Sequence, residues 1–387
     1  MNFDEIIDRR GTHSAKWDKM QALFGVSPDD GISMWVADMD FRPPQVVQRA
    51  LEGMLAHGIY GYFGDDRAYL DSICWWMANR HGWVVDPAHV FTTHGLVNGT
   101  ALCVQAFSQP GEGVVLFTPV YHAFARVIRA AGRHVVEVPL VEVDGRMTMA
   151  FPATLPEGTR MAILCSPHNP GGQVWTQDEL RGVADFAKAH DLVLVSDEIH
   201  HDLVMPGHVH TVMAKAAPDI ADRLVMLTAA TKTFNIAGAH TGNVIIADPA
   251  LRARFAAVME GGGISGNSFG LVMVTAAYSP EGAAWVDALN AYLDGNRQVF
   301  EAGIAAIPGA RVTPLQSTYL EWVDFAGTGM SADEVTRRVE KDARIAANYG
   351  HSFGTGGETY LRFNIATPRA RIVEAVARLQ AAFGDLQ

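Results

Sequence analysis

MAILCSPHNPGGQVWTQDELRGVADFAKAHDLVLVSDEIHHD, residues 161–202, decides the fold. It opens on an apolar run, MAILC, breaks at a turn of two prolines and two glycines, and resumes at Thr176 with helical spacing. Thr176 stands three residues before Glu179, as a capping box requires, and Leu180, Val183, Ala184 and Ala187 then fall on one face. A second apolar run, LVLVS, follows. Strand, helix and strand in this order make a crossover unit, which joins parallel neighbours in one sheet. Outward from it, HVFTT, GVVLF, HVVEV, LVMLT and NVIIA add further β-rich runs between residues 88 and 247. The pattern predicts an α/β fold whose mostly parallel sheet is covered on both faces, with ligands at the carboxyl ends of its strands.

After Gly282 the pattern changes. A long helix through Trp285, Leu289, Leu293 and Val299 precedes strands near 310–325, a helix near 331–342 and a final strand and helix. This predicts a second, smaller α+β domain, formed by residues 1–47 and 286–387, beside a large domain of residues 48–285. The glycine-rich stretch GGGISGNSFG, 261–270, reads as a hinge, a subunit contact or a plain surface loop.

Composition narrows the function. At 387 residues, 49% of them apolar and 19% charged, the chain is too long for a disulfide-stapled scaffold and too apolar for a disordered one. A net charge of −12 argues against nucleic acid and anionic membrane surfaces as partners. No apolar stretch approaches the roughly 18–20 residues of a membrane span. The charged start, MNFDEIIDRR, is unlike a signal peptide, so a cytoplasmic location is expected. Cys74, Cys103 and Cys165 are odd in number and sit in apolar segments, which predicts reduced core thiols.

Three strand ends carry chemistry. LVMLT runs into AATKTFNIAG, which puts Lys232 just beyond a buried strand, where desolvation lowers an amine's pKa and favours Schiff-base formation with an aldehyde cofactor. MAILC runs into SPHNPGG, a rigid turn that holds the Asn169 amide outward or closes an Asx turn. LVLVS runs into Asp197, a carboxylate that could pair with a protonated heterocyclic nitrogen. A metal site is the rival reading of Asp197, His200, His201 and Asp202, with His208 and His210 close by. Their spacing matches no HExxH or paired Cys/His pattern, and adjacent histidines point apart, so no metal is expected.

Asn169 in SPHNPGG, Asp197 in SDEIHHD and Lys232 in TKTFNIAG, in this order, resemble the fold type I pyridoxal-phosphate enzymes of the class I/II aminotransferase family. MWVADMDF (34–41), YGY (60–62), RHGW (80–83) and LRFNIATPR (361–369) look more like the MalY/PatB-type carbon–sulfur β-lyase branch than like ordinary aminotransferases. The resemblance implies a transferase-like large domain of αβα layering with a smaller α+β domain, and pyridoxal 5'-phosphate as cofactor. Lys232 would be the Schiff-base lysine and the base that moves the α-proton. Asp197 would keep the pyridine nitrogen protonated, Asn169 would bond the ring's 3-oxygen with His200 beside it, and Tyr121 would stack on the ring.

Gly95, Leu96 and Val97 would offer backbone N–H groups to the phosphate, with Thr231 nearby and Tyr60 reaching in from the neighbouring subunit of a homodimer. Arg362 would clamp the substrate α-carboxylate, with Ala37, Asp38 and Tyr319 near the substrate. The sequence departs from the family at two phosphate positions, where His240 and Ala229 replace the usual arginine and serine; Thr228, Thr231 or His240 would have to substitute. The implied reaction is β-elimination from L-cystathionine or a related L-cysteine S-conjugate, giving a thiol, pyruvate and ammonia. The alternatives are an aminotransferase, which shares every one of these residues, and a non-catalytic or regulatory protein on the same fold.

Overall fold

The computed structural model describes residues 1–143 and 145–386. The seven β-rich runs form one seven-stranded sheet: β1 (Val90–Thr93), β2 (Gly113–Thr118), β3 (His134–Pro139), β4 (Thr159–Cys165), β5 (Val193–Asp197), β6 (Leu224–Thr228) and β7 (Gly242–Ile245). Their spatial order is β1-β7-β6-β5-β4-β2-β3. Strand β7 is antiparallel to both neighbours and every other pairing is parallel, so six strands point their carboxyl ends to one edge.

Four helices that flank this sheet position the site: α1 (Arg67–His81), α2 (Leu96–Phe107), α3 (His122–Ala130) and α4 (Gln177–Ala189). Alternation along each strand decides which layer a side chain joins. Val114, Leu116, Ile163 and Leu227 pack with Leu102, Cys103 and Val104 of α2. Val115, Phe117, Ala162 and Leu164 face the other way and join the core that holds Leu180, Val183 and Ala184 of α4. Each fully buried aliphatic side chain of this kind contributes about 1.5–3 kcal/mol, so the two covered faces anchor the strand tips firmly. The capping box forms: Thr176 Oγ1 accepts from the Glu179 N–H at 3.2 Å, and Glu179 Oε2 accepts from the Thr176 N–H at 2.7 Å.

The second region begins on α5 (Pro280–Ala305), a 26-residue helix inside which the expected boundary at 285/286 falls. It leads to a four-stranded antiparallel sheet of β8 (Arg311–Val312), β9 (Leu320–Asp324), β10 (Asn348–Tyr349) and β11 (Tyr360–Asn364), in the order β8-β9-β11-β10. Asn296 of α5 donates to the carbonyls of Ile365 and Thr367, both at 2.8 Å, and fixes the link from β11 to α6 (Arg369–Ala382). The helix expected near 331–342 is α-helical over Ala332–Arg337 and widens to a π-turn over Arg338–Asp342.

The N-terminal segment docks on this region. Ile32–Ser33 pair in parallel with Ile345–Ala346, and Lys16 Nζ meets Asp40 Oδ2 at 3.0 Å with both side chains fully buried. Asp40 Oδ1 also accepts from Trp17 Nε1 at 3.0 Å and Arg9 Nη1 at 2.9 Å. Burial works against the Asp40 charge, yet Lys16, Trp17 and Arg9 outweigh it and hold the carboxyl at about 2. Cys74, Cys103 and Cys165 are free thiols, the last two buried. Among the described residues, no helix is long and apolar enough to cross a membrane.

Candidate active site

The shared strand edge gathers the first part of the site. Just beyond β1, Gly95 adopts φ +84°, a region that L side chains rarely enter, and caps α2 so that its first N–H groups face out. A Cβ on Gly242 would meet the Gly95 and Leu96 backbone at 3.0–3.1 Å, so a glycine on β7 is what lets this helix end sit against the sheet. Leu96 is buried, and Gly95 and Val97 are half-buried. Tyr121 is the residue before α3 and is half-buried; Asn169 follows β4; Asp197 ends β5 with His200 three residues on; Thr231 and Lys232 lie in the short helix Ala230–Thr233 after β6.

The second region supplies the rest. Arg362 on β11 donates to Asn169 Oδ1 at 2.9 Å, Trp35 O at 3.0 Å and Asn348 Oδ1 at 2.5 Å. Tyr319 donates to the Ala37 carbonyl at 3.0 Å, and Lys232 Nζ donates to the same oxygen. The chain thus brings Lys232, Asn169, Arg362, Tyr319 and Ala37 into one linked set. The His200 ring stands edge-on to Tyr319 with centroids 6.2 Å apart, and its Nδ1 is buried without a partner.

The electrostatics of this set are unbalanced. Burial lowers the Lys232 ammonium to about 8, against the pull of Asp38 and Asp197. Burial raises the Asp197 carboxyl to about 7; among the described residues only the Ile199 N–H, at 3.1 Å, bonds it directly. Arg362 is 3% exposed, its acceptors are all neutral, its Nε has no partner among the described residues, and burial brings it down to about 10. Burial also holds the His200 imidazole far below its ordinary value, with Lys232 and Arg362 adding to the effect, so it is neutral. A carboxyl raised by burial, a buried cation and a weakened ammonium, each lacking its natural counterpart, fit a group that brings a protonated ring nitrogen and an aldehyde, together with a substrate that brings a carboxylate.

Some expected positions stand apart. Tyr60 is 52% exposed and packs on Phe269 at 5.4 Å rather than on the Lys232 set. His240 is exposed, and Ala229 is buried beside the strand end. Thr231 is buried, and Thr228 accepts from Asn243 Nδ2 at 3.4 Å. The sequence reading passed over two asparagines inside its own motifs. Asn235 in FNIAG bonds the Met39 N–H and the carbonyls of Met39 and Phe41, while Asn364 in RFNIA donates to the carbonyls of Val36 and Asp38. Between them they fix residues 36–41, and so the Ala37 carbonyl, against Lys232. Asn348 and Phe353, the latter 4.9 Å below the Arg362 guanidinium, were also missed, since no motif marks them.

The sequence model of the family described as aminotransferase class I and II matches residues 32–379. The chain belongs to that family. Within and around it, the chain is 39% identical to cystathionine beta-lyase PatB of Bacillus subtilis, over 99% of this chain and 100% of that protein. The crystal structure of cystalysin from Treponema denticola, which contains a pyridoxal 5'-phosphate cofactor, superposes with a TM-score of 0.94 at 33% identity, covering 100% of this chain and 99% of that one. A PLP-bound C-S lyase from Staphylococcus hominis, complexed with L-cycloserine, gives 0.90 at 30% identity over 99% and 98% of the two chains. These likenesses run the length of the family fold, including both regions that meet at Lys232.

Proposed function

We propose that this chain is a pyridoxal-phosphate-dependent carbon–sulfur β-lyase acting on L-cystathionine or related L-cysteine S-conjugates. The observation that carries the cofactor is the buried Asp197 carboxylate without a cation, on the same strand edge as the desolvated Lys232. The choice of carbon–sulfur cleavage is supported by full-length likeness to a cystathionine beta-lyase and to a C-S lyase.

In this reading Lys232 would hold the cofactor aldehyde, Asp197 its ring nitrogen and Asn169 its ring oxygen, with His200 alongside and Tyr121 against the ring. The N–H groups of Gly95, Leu96 and Val97, with Thr231, would take the phosphate. When bound, the cofactor supplies an electron sink for the charge left at the substrate Cα. Arg362 receives the substrate α-carboxylate through paired donors and fixes the Cα–H bond in space. Lys232, whose ammonium burial brings down to about 8, takes the α-proton in its neutral form; the electron pair left at Cα closes the Cα–Cβ double bond as the Cβ–S bond breaks, and the proton now on Lys232 is available to the departing thiolate. Tyr319 and Asn364 hold the Ala37 loop as the adjoining wall.

The reading extends to a homodimer. Leu55, Ile59, Tyr60, Tyr62 and Phe63 form an exposed apolar run, more than a monomer ordinarily leaves to water, and a partner would cover it and bring its own Tyr60 to this phosphate site. The cytoplasm is proposed as the location, in keeping with three free thiols.

The test is purified holoenzyme mixed with L-cystathionine and no keto-acid acceptor. Pyruvate accumulating over many turnovers is the expected outcome; a single turnover that resumes only on adding a keto acid would identify an aminotransferase instead.

A further inference from the structure

Beyond the end of β5, three side chains from two distant parts of the chain converge. His81 ends α1, and His201 and Asp202 follow β5; one ligand-capable atom from each lies within 4.8 Å of the others. His81 Nε2 is 2.8 Å from Asp202 Oδ1, and His201 Nε2 is 3.1 Å from Asp202 Oδ2. We propose that His81, His201 and Asp202 bind one divalent transition-metal ion of the zinc type, with water from the adjoining cavity as fourth ligand.

Four observations carry this. His201 is 1% exposed; its Nε2 has the Asp202 carboxylate at 3.1 Å but out of line, and its Nδ1 has no partner among the described residues, an arrangement that leaves the imidazole free to turn to an ion. Asp202 is oriented by further donors, Trp76 Nε1 at 2.9 Å and Thr233 Oγ1 at 2.8 Å, as metal-bound carboxylates are. A cavity of about 340 Å³, lined by His81, His201, Asp202, His208 and His210, gives an ion a path in and room for water. Finally, zinc–ligand bonds of about 2.0–2.1 Å set tetrahedral neighbours about 3.3 Å apart, and the His81 and His201 nitrogens stand 2.8 and 3.1 Å from the two oxygens of the Asp202 carboxylate, so the cluster is already at the scale of a coordination sphere.

The expectation of no metal rests on residues 197–210 by themselves, where the His200 ring stands against Tyr319 and the His201 ring stands against His81. The third donor, His81, is 121 residues from Asp202 and comes into range only through the fold. An ion here would tie the end of α1 to the loop that carries His200. The inference is independent of the lyase reading.

The experiment is chelator-treated holoenzyme titrated with zinc chloride against a chromophoric chelator. One equivalent per chain is expected, with His201→Ala and His81→Ala each weakening binding more than about 100-fold and Trp76→Phe about 10-fold, while His208→Ala leaves it intact. Should the histidine variants not fold, cobalt(II) added to the wild-type protein gives the intense visible bands of four-coordinate ion. Failure of the wild type to hold an equivalent, retention by both folded His81 and His201 variants, loss in His208→Ala, or a pale six-coordinate cobalt spectrum would overturn the assignment.

Discussion

Two lysine–aspartate pairs are drawn out of water in this molecule, and they are treated in opposite ways. Lys16 and Asp40 touch at 3.0 Å, with Arg9 and Trp17 completing the set, and Asp40 stays ionised far below neutrality. Lys232 instead donates to the neutral carbonyl of Ala37, Asp197 receives one backbone N–H, and burial moves the two groups to about 8 and about 7. In the first pair the protein itself answers the desolvation cost, and the result is a joint between the N-terminal segment and the small region. In the second the cost is left open, and an open cost is what a ligand of complementary charge can relieve.

The largest effect expected is on Lys232. Lys232→Ala should lower pyruvate formation from L-cystathionine by at least about 10,000-fold and leave the melting temperature of the cofactor-free protein unchanged or higher. If activity survives, the contrast between the pairs fails at its root. Asp40→Ala should do the reverse: by stranding the Lys16 ammonium it should cost about 3–5 kcal/mol in denaturant unfolding. A loss under 1 kcal/mol would mean that the first pair is not a joint.

The pH response sharpens the comparison further. Asp197 titrates at about 7 in the folded chain against an ordinary 3.8, so the folded state binds the proton more tightly. Its contribution to stability is full below about pH 4 and is lost as pH rises through 7, on the order of 4 kcal/mol. Cofactor-free wild type minus Asp197→Asn, followed from pH 4 to 8, should show that decline, and added pyridoxal phosphate should flatten it. A flat difference without cofactor would mean Asp197 has a cation after all. The smallest effect is at Arg362: Arg362→Lys keeps the charge but loses the paired geometry, and should raise KM about 10- to 100-fold with a smaller change in kcat. A kcat loss with KM untouched would move Arg362 from substrate clamp to a role in the chemical step.

Each element of the large sheet was legible because near-continuous apolar runs separated by a capped amphipathic helix admit few other arrangements; all seven runs became neighbours in one sheet. Lys232, Asp197 and Asn169 were legible for the same reason, since a polar residue at the tip of such a run has little choice of place. Asn235 and Asn364 were visible as letters in quoted motifs, but their partners, residues 36–41, lie far along the chain. Asn348 and Phe353 sit in short irregular segments with no periodic signal, and only the pairing of β10 with β11 brings Asn348 opposite Arg362.

The sequence by itself determined the parallel sheet, the edge on which the candidate site lies and the residue types at that edge, because periodicity and strand-end position are local properties of the chain. Tertiary structure alone decided which charges are answered and which are left open. Strand-end position marks Asp197 but does not say whether its charge is answered; Asp40 meets Lys16 and Arg9 while Asp197 receives the Ile199 N–H, and these meetings depend on long-range packing. The same holds for His81 and Asp202, brought within 2.8 Å across 121 residues by the docking of α1 against the sheet.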